Sequence, residues 1–181
     1  MSEVKVTKLT DIELLHKANS MTTGKESYMT LKQCYKAMHS NARTQLFWIE
    51  MHDIPLSVAS HLVRHVHAQP YQRSKRPDRD PNAVDLGRNT PTDLGLLLNA
   101  EEIVNVSLKR LCNKASRETR DIWIKVLARL AEVDPDLYLF CQRPCVACGL
   151  CREPKPCGYM ASENYDKERI NYLKLFKDGI I

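Results

Sequence analysis

The sequence lacks the features that would place a chain in or across a membrane. No apolar run in its 181 residues approaches the ~20 residues that span a bilayer. The N-terminal segment MSEVKVTKLTDIELL has no basic region followed by an apolar one, so no secretory signal is visible. Internal repeats and low-complexity tracts are missing as well. These absences favour a cytoplasmic protein with no membrane partner, in a host cell if the chain is virus-encoded.

Composition and charge are ordinary for a single globular domain. A chain of 181 residues with 43% hydrophobic residues is large enough to bury a core without disulfides or other staples. The net charge of +5 is mild. It suits an anionic ligand but does not require nucleic acid.

Hydrophobic patterns predict an α+β domain. The segment TQLFWIEMH indicates a buried strand and TDLGLLL a second one. An amphipathic helix is expected over Arg117–Val133, and Asn99 is expected to cap another helix that begins just after it. Strands, helices and loops alternate without a regular βαβ rhythm, which favours α+β over a doubly wound sheet.

Two local features suggest a helix followed by a long loop. Asp53 resembles a helix N-cap, and the apolar stripe of the helix after it includes Leu62 and Val66. Residues 69–91 contain four prolines and little apolar content, so we expect a long loop there. Long irregular segments in a compact domain are usually functional or mobile.

Cationic and imidazole side chains are concentrated where this helix runs into the loop, in LVRHVHAQPYQRSKRPDRD, residues 62–80. The helix would bring Arg64, His65 and His67 to one end. Guanidinium groups match phosphate and carboxylate oxygens, and Gln72 and Ser74 can orient a base or a phosphate. This combination predicts a nucleotide site.

The segment RHVHAQPYQRSKR resembles the signature of the flavin-dependent thymidylate synthases (the ThyX family), which is Arg-His-Arg, seven residues, then Ser and, two residues later, Arg. Here Arg64 and His65 open the pattern, Ser74 is the serine and Arg76 the closing arginine. Gln72 occupies the acid-or-amide position two residues before the serine.

A second block resembles the same family. Asn99 and Arg110 keep the family's spacing of eleven residues, and Glu118 and Arg120 match its Glu-x-Arg segment. Together the two blocks cover about a third of the chain in the family's order.

Three departures from the pattern are visible. Val66 stands where the family has the third residue of its signature, an arginine, and Pro77 stands where it usually has tyrosine. The region between the blocks is short and lacks the Ala-Arg-x-x-Leu-Pro segment, for which Arg88 is the substitute we identify.

The resemblance implies both a fold and an activity. The fold would be one domain over residues 1–140, with an antiparallel sheet packed with helices. The activity would be reductive methylation of dUMP, or a change to a related pyrimidine nucleotide, with FAD, methylenetetrahydrofolate and NADPH. The enzyme would be a homotetramer whose active sites are built from more than one subunit.

The resemblance also implies roles for individual residues. A guanidinium beside a uracil carbonyl would stabilise the charge that develops on its oxygen, and Arg110 is expected to do this. The implied substrate-binding residues are Gln72, Ser74, Arg76, Arg88 and Arg110, of which Ser74 and Arg110 are the catalytic pair. The implied FAD contacts are Arg64, His65, His67, Asn99 and Asn105.

Five of the seven cysteines crowd into seventeen residues, and nothing in the resemblance predicts them. In an intracellular chain such a cluster indicates a metal site rather than disulfides. We therefore expect a metal-binding extension over residues 141–181. Structural zinc and an iron–sulfur cluster both remain open. The preferred ligands are Cys145, Cys148, Cys151 and Cys157, with Cys141 as the spare.

Other functions are compatible with these patterns. A non-catalytic metalloprotein could use the basic loop to hold a nucleotide or nucleic acid. The loop contains only one aromatic residue, Tyr71, which is poor for stacking single-stranded bases, so nucleic acid ranks second. An iron–sulfur oxidoreductase acting on a pyrimidine nucleotide is a third alternative.

Overall fold

The structure is a computed structural model that describes residues 2–76, 78–80 and 86–177. Two parts of the predicted loop lie outside the described residues, namely Pro77 and residues 81–85. The last four residues of the predicted C-terminal extension lie outside them as well. The strands are β1 (Glu3–Lys8), β2 (Leu46–Pro55), β3 (Gln69–Gln72) and β4 (Pro91–Asn99). The helices are α1 (Ile12–Thr23), α2 (Leu31–Lys36), α3 (Leu56–Leu62), α4 (Ala100–Arg110), α5 (Arg117–Val133), α6 (Pro135–Tyr138), α7 (Pro144–Cys148) and α8 (Glu163–Lys177), and 3-10 turns occupy Ser40–Thr44 and Tyr159–Ala161.

The four strands form one antiparallel sheet in the order β1-β2-β4-β3. Side chains alternate along the two central strands, so that every second residue is buried. The buried face carries Phe47, Ile49, Met51, Leu94, Leu96 and Leu98. Helices cover this face, and the predicted α+β class is confirmed.

Two helices follow the sequence patterns closely. The α5 helix has the predicted bounds, and its indole at Trp123 is fully buried, where Nε1 donates to Ser107 Oγ at 3.0 Å. Asn99 is the predicted N-cap of α4, because its Oδ1 accepts from the Glu102 backbone N–H at 2.9 Å. The start of α4 is thereby fixed directly after β4.

A buried carboxylate ties three parts of the chain together. Asp134 Oδ2 accepts from Lys8 Nζ at 2.7 Å and from the Tyr35 hydroxyl at 2.9 Å. Its Oδ1 accepts from the Leu137 backbone N–H at 2.9 Å. Asp134 ends α5 and begins α6, so this residue also joins β1 and α2 to the helical layer.

The prediction that Asp53 caps a helix is wrong. Asp53 lies within β2 with a φ of 52°, at a bulge between Met51 and Ile54. Aspartate tolerates this left-handed conformation better than most residues. The helix begins later, at Leu56, after a proline with no side-chain cap.

The expected helix end and the expected loop are both shifted. The α3 helix ends at Leu62, and Val66 is 89% exposed rather than part of an apolar stripe. The segment from residue 69 begins as strand β3, whose residues pair with Leu94–Leu97. Local composition concealed this strand because its pairing partner is distant in sequence and Pro70 lies inside it.

The C-terminal segment packs on the main body. Val146 is fully buried, and the Phe176 ring lies 6.3 Å from the Phe140 ring, edge to face. The domain boundary predicted between residues 140 and 141 stays a prediction. No helix in the described part of the chain combines the length and apolar content that crossing a membrane requires.

We expect substitution of Gly95 to destabilise the sheet. A Cβ at this position would lie 2.6 Å from the Trp48 ring, so Gly95→Ala forces the indole to move. Overpacking of this kind costs about 1–3 kcal/mol, which a shift in the urea unfolding midpoint would report. Gly87→Ala is the control, because the nearest atom to its Cβ would be 3.9 Å away. Equal midpoints for the two variants would contradict the close contact.

Candidate functional site

A row of three polar side chains runs inward beside α4. The Arg110 Nε–H donates to His65 Nε2 at 3.0 Å, and His65 Nδ1 faces Glu102 Oε1 at 3.6 Å. Because Nε2 accepts, the proton of the neutral imidazole lies on Nδ1, toward the carboxylate. The Glu102 side chain is only 5% exposed. We call Glu102, His65 and Arg110 the polar row.

The environment keeps His65 neutral. Burial lowers the pKa of His65 to about 4, and the nearby charges of Arg110 and Lys109 act in the same direction. A neutral imidazole can accept the Arg110 hydrogen bond, whereas an imidazolium cannot. The fixed tautomer therefore orients the guanidinium.

Arg110 is a half-buried cation without an acidic partner among the described residues. Besides the bond to His65, its Nη2 donates to the His61 carbonyl oxygen. Burial and the charge of Arg64 both lower the pKa of Arg110, although a guanidinium stays protonated in proteins. Two of its five N–H groups are used, so the rest can bind an anion.

Two more arginines lie near the same point. Burial lowers the pKa of His61, and the charges of Arg110, Arg64 and Arg88 lower it further. Arg64 is exposed and has no acidic partner among the described residues. Arg88 Nη2 lies 2.9 Å from Glu118 Oε2, in an exposed ion pair. We call Arg64, Arg88 and Arg110 the arginine group, and it makes this surface electropositive.

The other predicted flavin contacts are divided between two places. Asn99 caps α4 beside Glu102, and Asn105 Nδ2 donates to Glu102 Oε2 at 3.4 Å. His67 is exposed and lies near Glu101, where its charge helps to lower the pKa of that carboxyl beside Arg43. The structure therefore gathers His65, Asn99 and Asn105 around Glu102 and leaves His67 outside.

The predicted phosphate-binding residues form a separate arm, residues 72–76. Gln72 ends β3 with its side chain exposed, and Ser74 Oγ accepts from the Arg76 backbone N–H at 3.4 Å. The Arg76 guanidinium makes two bonds of 2.9 Å to Asp78.

Other cations of the arm are paired in the same way. Arg73 Nη1 lies 3.2 Å from Asp93 Oδ2, and Lys75 Nζ lies 3.3 Å from Asp80 Oδ2. The charge that the sequence presents as a cationic patch is therefore largely neutralised locally. The described contacts join this arm to neighbouring carboxylates, not to the polar row.

Glu102 is the residue that the sequence reasoning missed. It looks like an ordinary acidic residue in the first turn of a helix, where the helix dipole favours negative charge. The available indication was its position four residues before Val106, on the face of α4 that is buried.

The predicted cysteine ligands do not converge on one point. Among the described residues, no group of three or more His, Cys, Asp or Glu side chains is arranged to hold a metal ion. Cys141 is buried and its Sγ donates to the Leu137 carbonyl at 3.5 Å, while Cys148 Sγ donates to the Pro144 carbonyl at 2.8 Å. The structure gives no support to a zinc ion or an iron–sulfur cluster held by the predicted set of Cys145, Cys148, Cys151 and Cys157.

We expect His65 to make the folding stability depend on pH. As pH falls from 6.5 to about 4, the unfolded chain takes up a proton that folded His65 does not, so the free energy of unfolding falls. The loss should be on the order of 1–3 kcal/mol and should be smaller in His65→Gln, as measured by urea unfolding across this window. Parallel profiles for wild type and His65→Gln would overturn the assignment.

The fold is shared with solved structures of a known enzyme. No protein-family model and no curated protein matches the sequence. Thymidylate synthase X (ThyX) from Helicobacter pylori, crystallised with FAD and dUMP, superposes with a TM-score of 0.64 at 14% sequence identity, covering 78% of this chain and 99% of that chain. A second structure of the flavin-dependent enzyme from Helicobacter pylori, complexed with FAD and dUMP, superposes with a TM-score of 0.65 at 14% sequence identity. It covers 78% of this chain and 100% of that chain. The chain therefore has the fold of the flavin-dependent thymidylate synthase ThyX.

Proposed function

We propose that the protein is a flavin-dependent thymidylate synthase-like enzyme of the cytoplasm that converts dUMP to dTMP by reductive methylation. Methylenetetrahydrofolate would donate the one-carbon unit and NADPH the electrons. The observation that carries the proposal is Arg110, a half-buried guanidinium that faces a neutral imidazole and has no acidic partner among the described residues. It lies on a fold whose solved examples hold FAD and dUMP.

Arg110 would act on the uracil ring. A positive charge beside a uracil carbonyl stabilises negative charge that develops on its oxygen. Because Arg110 is partly desolvated and held by the His65 imidazole and the His61 carbonyl, it need not reorganise when that charge appears. Glu102 contributes as a positioning residue, since its carboxylate faces the protonated nitrogen of His65.

The remaining cations would hold phosphates. Arg88 and Arg76 are each paired with an exposed carboxylate, Glu118 and Asp78 respectively. Exposed pairs of this kind contribute only about 0–1 kcal/mol, so a phosphate can replace the carboxylate at little cost. Gln72 and Ser74 would add hydrogen bonds that fix the nucleotide relative to Arg110.

The residues near the polar row fit an anionic cofactor such as FAD. Arg64 is exposed and has no acidic partner among the described residues, and His65 and Asn105 lie nearby on the loop after α3 and on α4. We assign the cofactor to Arg64, His65, Asn99 and Asn105, with His67 as an outer contact. FAD, when bound, supplies the hydride that reduces the transferred carbon.

A second copy of the chain would complete the site. The arm at residues 72–76 is held by Asp93, Asp78 and Asp80, and the described contacts do not bring it to the polar row of its own chain. We infer that the arm of one subunit meets the polar row of another, within a homotetramer.

The enzyme assignment predicts a flavin spectrum and a turnover that depends on Arg110. Protein purified with FAD should be yellow and should release tritium from 5-tritiated dUMP when methylenetetrahydrofolate and NADPH are added. Arg110→Lys keeps the positive charge but loses the planar guanidinium that donates to His65. We therefore expect kcat to fall by about 10²–10³-fold while flavin stays bound.

Arg129→Lys is the matched control for that substitution, because Arg129 lies on the exposed side of α5 and pairs with Glu132 on the same helix. Its activity should equal that of the wild type. Colourless protein that neither binds added FAD nor releases tritium would contradict the proposal.

Shared sites predict complementation between inactive variants. Ser74→Ala damages the arm and Arg110→Lys damages the polar row, so co-expression of the two should restore about a quarter of the sites in randomly mixed oligomers. Tritium release by the purified hybrid measures this recovery. Co-expression of Arg110→Lys with His65→Gln should restore nothing, since both changes affect the same part of the site. Absence of recovery in the first mixture would show that each site is built from one chain.

A further inference from the structure

The fold brings together cysteines that are far apart in the sequence. A cavity of about 240 Å³ lies between the end of α4, the start of α7 and the loop that follows α7. Four cysteines line it: Cys112, Cys145, Cys151 and Cys157. Cys112 comes from outside the cysteine-rich segment, whereas Cys141 and Cys148 belong to that segment and are not part of the lining.

The four thiols share the lining of this one cavity. A backbone N–H also points at a lining sulfur, because Lys114 N lies 3.5 Å from Cys112 Sγ. Hydrogen bonds of this type stabilise sulfur ligands in metal clusters.

Arg143 holds the walls of the cavity in place. Its Nη1 donates to the Leu111 carbonyl and to Asn113 Oδ1, both at 2.7 Å, on the α4 side. Its guanidinium lies 4.5 Å from the centre of the Tyr159 ring, and its Nε lies 3.5 Å from Glu168. One side chain thus connects the loop that carries Cys112 to the segment that carries the other three cysteines.

The rest of the lining is suited to sulfur chemistry. Several of its residues are apolar, namely Pro144, Pro156, Met160 and Ala161, and Arg143, Arg152 and Glu153 add charged groups. Apolar walls limit the access of water to a metal–thiolate centre and thereby tune it. Cys157 is exposed at one side, so the cavity is open to assembly from solution.

The cavity favours a cluster over a single ion, because the four cysteines line a space of about 240 Å³ rather than surround one point. A tetrahedral zinc site needs its sulfurs at about 2.3 Å from one point, and no described group of ligands is arranged for one ion. In a four-iron cluster each thiolate binds a different iron, so the four sulfurs stand apart around a central body. The cavity between the cysteines supplies the space for that body.

We propose that Cys112, Cys145, Cys151 and Cys157 are the ligands of a [4Fe–4S] cluster. The ligand set differs from the one that the sequence spacing suggests, because Cys112 takes the place of Cys148. The proposal does not depend on the nucleotide chemistry of Arg110, so the two can fail separately.

Anaerobic reconstitution tests the cluster directly. The full chain would be treated with ferric iron, sulfide and a thiol that reduces part of the iron to the ferrous state. It would then be desalted and analysed for iron, acid-labile sulfide and visible absorption, with Mössbauer spectra to identify the cluster type. The expected result is about four irons and four sulfides per chain. Cys112→Ser should lower cluster content at least tenfold, and Cys148→Ser should leave it unchanged.

The two serine variants form the decisive pair. Far-ultraviolet circular dichroism of both variants before reconstitution checks that they share the wild-type fold. A cluster that survives Cys112→Ser but is lost in Cys148→Ser would overturn the ligand set. Failure of the wild-type chain to take up iron and sulfide, or binding of one zinc per chain in preference to them, would overturn the cluster itself.

Discussion

The candidate site depends on the burial of the Glu102 carboxylate. A carboxylate placed in the interior requires polar partners, and α4 provides one from its own second turn, because Asn105 Nδ2 donates to Glu102 Oε2. His65 then faces the carboxylate with its protonated nitrogen and presents the other nitrogen to Arg110. Each member of the polar row thus determines the orientation of the next, from the core to the surface. The half-buried guanidinium of Arg110 is thus oriented, through His65, by the buried carboxylate of Glu102.

The sequence was sufficient for elements whose evidence is local. The α5 helix, the Asn99 cap and the two central strands follow from apolar periodicity and capping chemistry, which act within a few residues. Strand β3 and the bulge at Asp53 were missed because both depend on pairing with β4, about twenty to forty residues away along the chain. Apolar periodicity along the chain does not show which distant strand a segment pairs with.

The candidate site was predictable only in part, because local motifs can be read from the sequence and distant contacts cannot. Motif resemblance selected Arg110, His65 and Asn105, and the structure brings them to one region. It could not reveal that Asp78 pairs with Arg76, or that Cys112 approaches Cys145. Spacing along a chain reports which residues could share a turn, whereas contacts between turns depend on how helices and loops pack.

The short outer strand also bears on how copies of this chain can meet. An edge strand exposes unpaired backbone groups, and a neighbouring molecule can extend the sheet through them. In β3 that edge is only four residues long, contains Pro70, and is followed at once by Arg73 bound to Asp93. A short strand with a missing N–H and a charged end is a poor template for continued β-pairing. Association along this edge is therefore disfavoured, so contacts between copies would have to use the β1 edge, the face of the sheet that helices do not cover, or the helical surfaces.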